Sequence, residues 1–170
     1  MSAGATLISA SVRLALLCYA TTVAGQLLGC RGKWLRLLWT IGCGLFLVHV
    51  AAAFHFVHNW SHQAAVQTTA AETRQLLGIA FGGGLWFSYA FVLLWLLDTI
   101  WWWTAADNWR RRPRALHITL HSYLLFIAFN GAIVFEAGPT RFVGILVTPL
   151  LLLLIFLRLR KSRTHTGTQL

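Results

Sequence analysis

Five long apolar runs, separated by short polar segments, limit what this chain of 170 residues can fold into more than any other feature. The runs cover residues 7–28, 35–60, 85–103, 115–135 and 142–157. About 20 helical residues cross the hydrocarbon core of a bilayer. A chain with 58% hydrophobic and only 11% charged residues is also too apolar for a soluble domain of this size. We therefore predict an all-α, integral membrane helical bundle with five transmembrane helices in contact with the lipid bilayer.

Basic residues are concentrated in alternate connections between these runs, at residues 31–36, 110–114 and 158–163. Because cytoplasmic connections carry more Lys and Arg than external ones, the pattern predicts an N-terminus outside and a C-terminus in the cytoplasm of a bacterial membrane. It also accounts for the net charge of +10, so no nucleic-acid partner is expected. We expect one bundle domain over residues 1–157 and a disordered basic tail over residues 158–170.

Three histidines lie within eight residues at the end of the second run: His55, His58 and His62. On one continuous helix they would fall within an arc of roughly 60°. The small residues Gly44 and Ala51 extend the same face, which predicts that another helix packs there. Residues 61–77 contain neither glycine nor proline and predict a helical extension after the second span.

This histidine stripe is the first candidate site, because imidazole is a common metal ligand and is costly to hold in hydrocarbon. The predicted topology brings two carboxylates to the same side of the membrane. The candidate ligands are therefore His55, His58, His62, Glu72 and Glu136. Copper, zinc or iron, or haem held by one of the imidazoles, suits such donors. The alternative is that these histidines only hydrogen-bond water at the headgroup boundary.

A second group of polar residues is predicted at the opposite membrane face. It consists of Asp98 near the end of the third run, with His117 and His121 on one face of the fourth. Two imidazoles and a carboxylate match a non-haem iron site, and they equally match a hydrogen-bonded cluster that accommodates an acid within the membrane. His49, on the other face of the second run from the stripe, is a candidate haem ligand or proton relay.

The spacings H-x2-H-x3-H and H-x3-H resemble the histidine boxes of membrane di-iron desaturases and hydroxylases, which meet at one membrane face. Here the predicted topology assigns the two histidine groups to opposite faces. A shared di-iron site is therefore not expected.

The aromatic residues permit two interpretations. Nine tryptophans and eleven phenylalanines can line a quinone, lipid or haem pocket. Their positions near the ends of the runs favour belts at the membrane interfaces. The inner belt is predicted to contain Trp34, Trp39, the triplet at residues 101–103 and Trp109, and the outer belt Trp60.

Two functional hypotheses follow from these residues. The first is a small multi-pass protein whose metal or haem site serves membrane electron transfer or metal handling. The second is a non-catalytic accessory subunit that packs against other subunits of a larger membrane complex. No phosphate-binding glycine loop and no GxSxG motif occur in the sequence.

Overall fold

A computed structural model of the chain describes residues 2–30 and 32–131. These residues form six helices and no strand: α1 (Ala3–Leu27), α2 (Lys33–Phe56), α3 (His62–Leu77), α4 (Gly84–Thr104), α5 (Ala106–Arg110) and α6 (Arg114–Phe129). Helices α1, α2 and α4 are long and apolar enough to cross a membrane, and α6 is apolar but shorter. The all-helical, membrane-type architecture is thus confirmed for this part of the chain. The fifth predicted span, Glu136 and the basic tail lie outside the described residues.

Helices α1 and α2 form an antiparallel hairpin, which is the largest helix contact in the described part of the chain. At one end Gly4 lies against the ring of Phe56, and at the other Gly25 lies against the side chain of Leu35. Helix α4 packs on α2 and also contacts α3 and α6. Because α4 contacts several other helices, the residues at its two ends have different neighbours.

Aromatic rings form the centre of the bundle. Tyr19, Trp39 and Trp95 lie in mutual contact, with ring centroids 5.2 to 5.6 Å apart. Trp39 and Trp95 are each only 1% exposed. Trp102 and Trp109 are also buried, so these two rings and Trp39 pack inside the protein and do not face an interface. The predicted belt members Trp34, Trp60 and Trp103 are exposed.

Neighbouring helices pack closely against α2, but on a different face from the one predicted by Gly44 and Ala51. Gly44 and Ala51 are exposed, and no heavy atom lies within 4 Å of the Cβ position of Gly44. The crossing occurs instead at the buried Gly42. A Cβ atom there would lie 2.9 Å from Cys18 Cβ and 3.0 Å from the Trp95 ring. Gly42 is therefore the residue that permits α1, α2 and α4 to pack together.

Two glycines on α2 provide a matched test of this packing. We expect Gly42→Ala to destabilise the folded protein by about 1–3 kcal/mol, because the added methyl group meets Cys18 and Trp95. Gly44→Ala should be neutral or stabilising by roughly 0.5–1 kcal/mol, because alanine is the better helix former in open space. Unfolding by SDS in mixed micelles measures both variants. Equal effects of the two substitutions would contradict this packing.

Candidate functional site

The three histidines of the stripe do not lie on one helix. Helix α2 ends at Phe56, and α3 begins at His62. Between them Asn59 and Trp60 adopt left-handed backbone conformations, with φ of 48° and 58°. The Ser61 hydroxyl accepts a hydrogen bond of 3.2 Å from a backbone N–H three residues later, which caps α3. The prediction of a continuous helix through the stripe is wrong, because this turn rotates the following helix away, although residues 62–77 are helical as predicted.

The outer two histidines of the stripe point to different neighbours. His55 is exposed, and its Nδ1 accepts a hydrogen bond of 3.4 Å from the indole of Trp60. His62 is also exposed. Its Nδ1 lies 2.9 Å from the hydroxyl of Tyr89, and its ring packs at a tilted angle against that of Trp86, with centroids 5.5 Å apart. The turn therefore directs the two imidazoles to different partners, and they do not face a common metal position.

His58 differs from both of its neighbours in the stripe. It is half-buried, and its Nδ1 is shielded from solvent without a hydrogen-bond partner among the described residues. Glu72 of α3 is close enough to interact with it electrostatically. Partial desolvation raises the pKa of the Glu72 carboxyl above its ordinary value of 4.5, and the nearby His58 opposes that rise. The His58 imidazole thus lies near a carboxyl group whose pKa is raised.

His58 and Glu72 both line a cavity of about 640 Å³ between α1, α2, α3, α4 and α6. Its walls are mainly apolar, with the rings of Phe46, Phe54, Phe87 and Phe91. Further polar groups come from His49, Thr69, Ser88 and Tyr89. An apolar cleft with a few polar groups, in this range of volumes, is the usual form of a small-molecule site.

His49 borders the same cavity, one level deeper along α2. Its Nδ1 lies 3.0 Å from the backbone carbonyl of Ile8. A carbonyl only accepts, so Nδ1 carries the proton and Nε2 is the acceptor nitrogen of this ring. Seven residues of α2, or about 10 Å of axial rise, separate His49 from Phe56, where the helix ends, and His58 lies beyond that end. These two imidazoles therefore cannot bind opposite faces of one haem iron.

Within residues 2–30 and 32–131, no group of three His, Cys, Asp or Glu side chains is arranged to hold a metal. The turn between α2 and α3 separates the candidate ligands of the histidine stripe. Of the described candidates, only His58 and Glu72 lie close together. Glu136, the remaining member, lies outside the described residues. The metal and haem ligand roles of these residues stay predictions.

Near the C-terminal end of α4, away from the cavity, Asp98 forms a buried ion pair with Arg112. The Asp98 carboxylate accepts hydrogen bonds from the Arg112 guanidinium and, at 3.0 Å, from the indole of Trp109. The two charged side chains are 2% and 4% exposed, respectively. The Trp39 indole lies near the same carboxyl group, yet neither Trp39 Nε1 nor Asp98 Oδ2 has a hydrogen bond of normal geometry among the described residues.

Arg112 reaches this position from the linker between α5 and α6. Its guanidinium lies 4.2 Å from the ring centroid of Trp109, which stacks in parallel on Trp102 at 3.9 Å. Burial lowers the pKa of Arg112, and the charge of Asp98 opposes that change. The ion pair and the two stacked rings together attach the linker to the bundle.

His117 and His121 complete this cluster from α6. His117 Nδ1 lies 2.6 Å and His121 Nε2 lies 3.3 Å from Nη2 of Arg112. A guanidinium only donates hydrogen bonds, so both imidazoles are neutral and accept through these nitrogens. The proton of His121 is therefore on Nδ1, which has no partner among the described residues.

The two polar groups lie at different levels of the bundle. Tyr89, the partner of His62, and Asp98, the partner of Arg112, are nine residues apart on α4, or about 14 Å along its axis. The two histidine groups therefore do not converge on a shared metal pair.

Arg112 and Trp109 are the site residues that sequence analysis missed. A carboxylate within an apolar run requires a partner, and the arginine cluster begins only twelve residues after Asp98. We interpreted that cluster solely as a topology signal. The predicted meeting of Asp98 with His121 occurs through Arg112, which lies between them.

The chain matches no protein-family model, no curated protein and no solved structure.

The ion pair predicts a double-mutant cycle. Arg112→Ala should cost about 3–5 kcal/mol of folding free energy, because it leaves a buried carboxylate without its cation. Asp98→Ala should cost less, because Arg112 can turn its long side chain out to solvent from the linker. The double variant should cost less than the sum of the two single changes.

The exposed pair Asp107 and Arg110, at 3.6 Å, supplies the control. Asp107→Ala should change the unfolding free energy by less than about 1 kcal/mol. SDS-induced unfolding in mixed micelles measures all four variants. Additive effects of Asp98→Ala and Arg112→Ala would refute the buried pair.

Proposed function

We propose that this chain is a membrane protein that binds an amphiphilic quinone in the cavity beside His58 and Glu72, as one part of a membrane electron-transfer system. The observation that carries the proposal is His58 Nδ1, a buried polar atom without a partner among the described residues, in the wall of a largely apolar cavity. Buried polar atoms of native proteins are nearly always hydrogen-bonded. A ligand carbonyl oxygen at this position would supply the missing partner.

The properties of the cavity match a quinone in three respects. Quinone carbonyl oxygens accept hydrogen bonds, which a His58 N–H and a protonated Glu72 can donate. The phenylalanine rings of the wall offer aromatic surfaces to a planar head group. Glu72, with its raised pKa, is suited to exchange protons with a quinone that is reduced or oxidised by another redox centre.

A metal ion or haem held by His58 is the competing occupant. Its support is the same imidazole and the neighbouring Glu72, which are two of the donors predicted from sequence. Copper and zinc sites in proteins use at least three protein ligands. The quinone proposal needs only the hydrogen-bonding groups that already line the cavity, and we therefore prefer it. The accessory-subunit hypothesis stays a prediction, supported by the exposed small residues of α2.

Quinone binding is measured with the full chain in lipid nanodiscs. Titration with decylubiquinone should quench tryptophan fluorescence saturably. His58→Ala should weaken binding roughly 5- to 10-fold, the cost of about 1–1.5 kcal/mol for one lost hydrogen bond. His55→Ala is the matched control, because His55 does not line the cavity, and it should bind like the unaltered protein. Equal affinities for the two histidine variants, or a Soret band or stoichiometric metal that His58→Ala removes from the purified protein, would overturn the proposal.

Glu72 predicts the pH dependence of binding. The protonated carboxyl donates a hydrogen bond and the ionised one does not, so affinity should fall as the pH rises through the elevated pKa of Glu72. Glu72→Gln keeps a donor at every pH and should bind with a flat profile over the range where Glu72 titrates. An unchanged pH profile in Glu72→Gln would exclude Glu72 as the donor.

A further inference from the structure

The Arg112 guanidinium lies among three side chains of types that bind metals, one carboxylate and two imidazoles. Asp98 Oδ1 contacts its Nη1, while His117 Nδ1 and His121 Nε2 both contact its Nη2, at 2.6 and 3.3 Å. All three donors present lone pairs to the same planar cation. The cluster is thus a cation site, and the cation that it holds is the protein's own Arg112 side chain.

We propose that Asp98, His117 and His121 also bind a divalent transition metal, which exchanges with the Arg112 guanidinium. Two imidazoles and a carboxylate suit zinc, iron or cobalt. Metal–ligand distances are about 2.0–2.2 Å, so an ion at the Nη2 position requires the imidazole nitrogens to move by roughly 0.5–1.2 Å. Asp98 contacts Nη1 instead, so its carboxylate must also turn towards such an ion. Asp98 Oδ2 is buried near the Trp39 indole and has no hydrogen bond of normal geometry among residues 2–30 and 32–131.

The guanidinium explains why no metal-ready triad appears among the described residues. It lies between the carboxylate and the two imidazoles and holds them apart. The exchange needs no proton release from the ligands, because the nitrogens that face Arg112 already bear lone pairs. A divalent ion entering as one guanidinium leaves raises the charge of the site by one, and two neutral imidazoles stabilise that charge.

Arg112 is positioned to leave. Its side chain is 4% exposed, but the residue as a whole is partly exposed, because it belongs to the linker between α5 and α6. Rotation of one long side chain therefore transfers the guanidinium to the surface without unpacking a helix. This site lies at the other end of α4 from the cavity, so its occupancy does not depend on the quinone proposal.

Cobalt titration of the full chain, purified through a tag without histidine, tests the exchange. Arg112→Ala removes the competing cation and should bind Co²⁺ at one ion per chain, with visible ligand-field absorption. Its affinity should exceed that of the unaltered protein roughly tenfold or more, because the competent state no longer requires displacement of Arg112. Zn²⁺ should displace the Co²⁺ and raise the thermal stability of this variant.

Two controls separate this site from adventitious binding. Arg111→Ala removes a neighbouring exposed arginine and should behave like the unaltered protein. Adding His117→Ala and His121→Ala to Arg112→Ala should abolish the absorption, although His55, His58 and His62 remain. Folded Arg112→Ala protein that binds no Co²⁺ at millimolar concentration, or that binds it equally without His117 and His121, overturns the proposal.

A second measurement uses the unaltered chain. It tests whether a metal displaces the Arg112 guanidinium even if Arg112→Ala does not fold. Phenylglyoxal modifies exposed arginines, and peptide mass spectrometry locates the product. Without metal, Arg112 should be protected and the exposed Arg110 and Arg111 should react. Millimolar Zn²⁺ should make Arg112 reactive by expelling it from the cluster. Unchanged protection of Arg112 with Zn²⁺ contradicts the exchange.

Discussion

The carboxylate of Asp98 imposes the strongest physical demand on this bundle. It lies in an apolar helix that is long enough to cross a membrane, where an ionised group must be paired. Arg112 supplies the cation from outside the helix, Trp109 adds a neutral donor, and the neutral imidazoles of α6 accept hydrogen bonds from the remaining guanidinium N–H groups. One buried charge thus determines how the α5–α6 linker lies against α2 and α4, and it brings α6 into register with α4.

The N-terminal end of α4 borders a cavity and not an ion pair. There the chain breaks between α2 and α3, and polar side chains collect around an apolar cavity without any buried ion pair among the described residues. His58 and Glu72 both line this cavity, and partial desolvation raises the pKa of Glu72 above its ordinary value. A charge-paired end and a largely apolar cavity with a few polar groups therefore coexist in one small bundle, and the aromatic centre of Trp39 and Trp95 lies between them.

Sequence reasoning succeeded where long-range periodicity decides structure and failed where single residues do. The apolar runs predicted the helices near α1, α2, α4 and α6, and the run without glycine or proline predicted α3. The break at Asn59 and Trp60 was missed because non-glycine residues adopt left-handed conformations there, and Ser61 was the only cap signal. Arg112 was missed because a basic connection indicates topology equally well whether or not one of its arginines folds inward. Which face of α2 is packed depended on Trp39 and Gly42, whose neighbours become known only in the folded chain.

The protonation state of Asp98 tests the central claim most directly. The chain has only four acidic side chains, so an infrared difference spectrum between the unaltered protein and Asp98→Asn resolves this one carboxyl group. Pairing with Arg112 predicts that the substitution removes the antisymmetric and symmetric stretches of an ionised carboxylate at neutral pH. Loss of the carbonyl stretch of a protonated acid instead would contradict the ion pair.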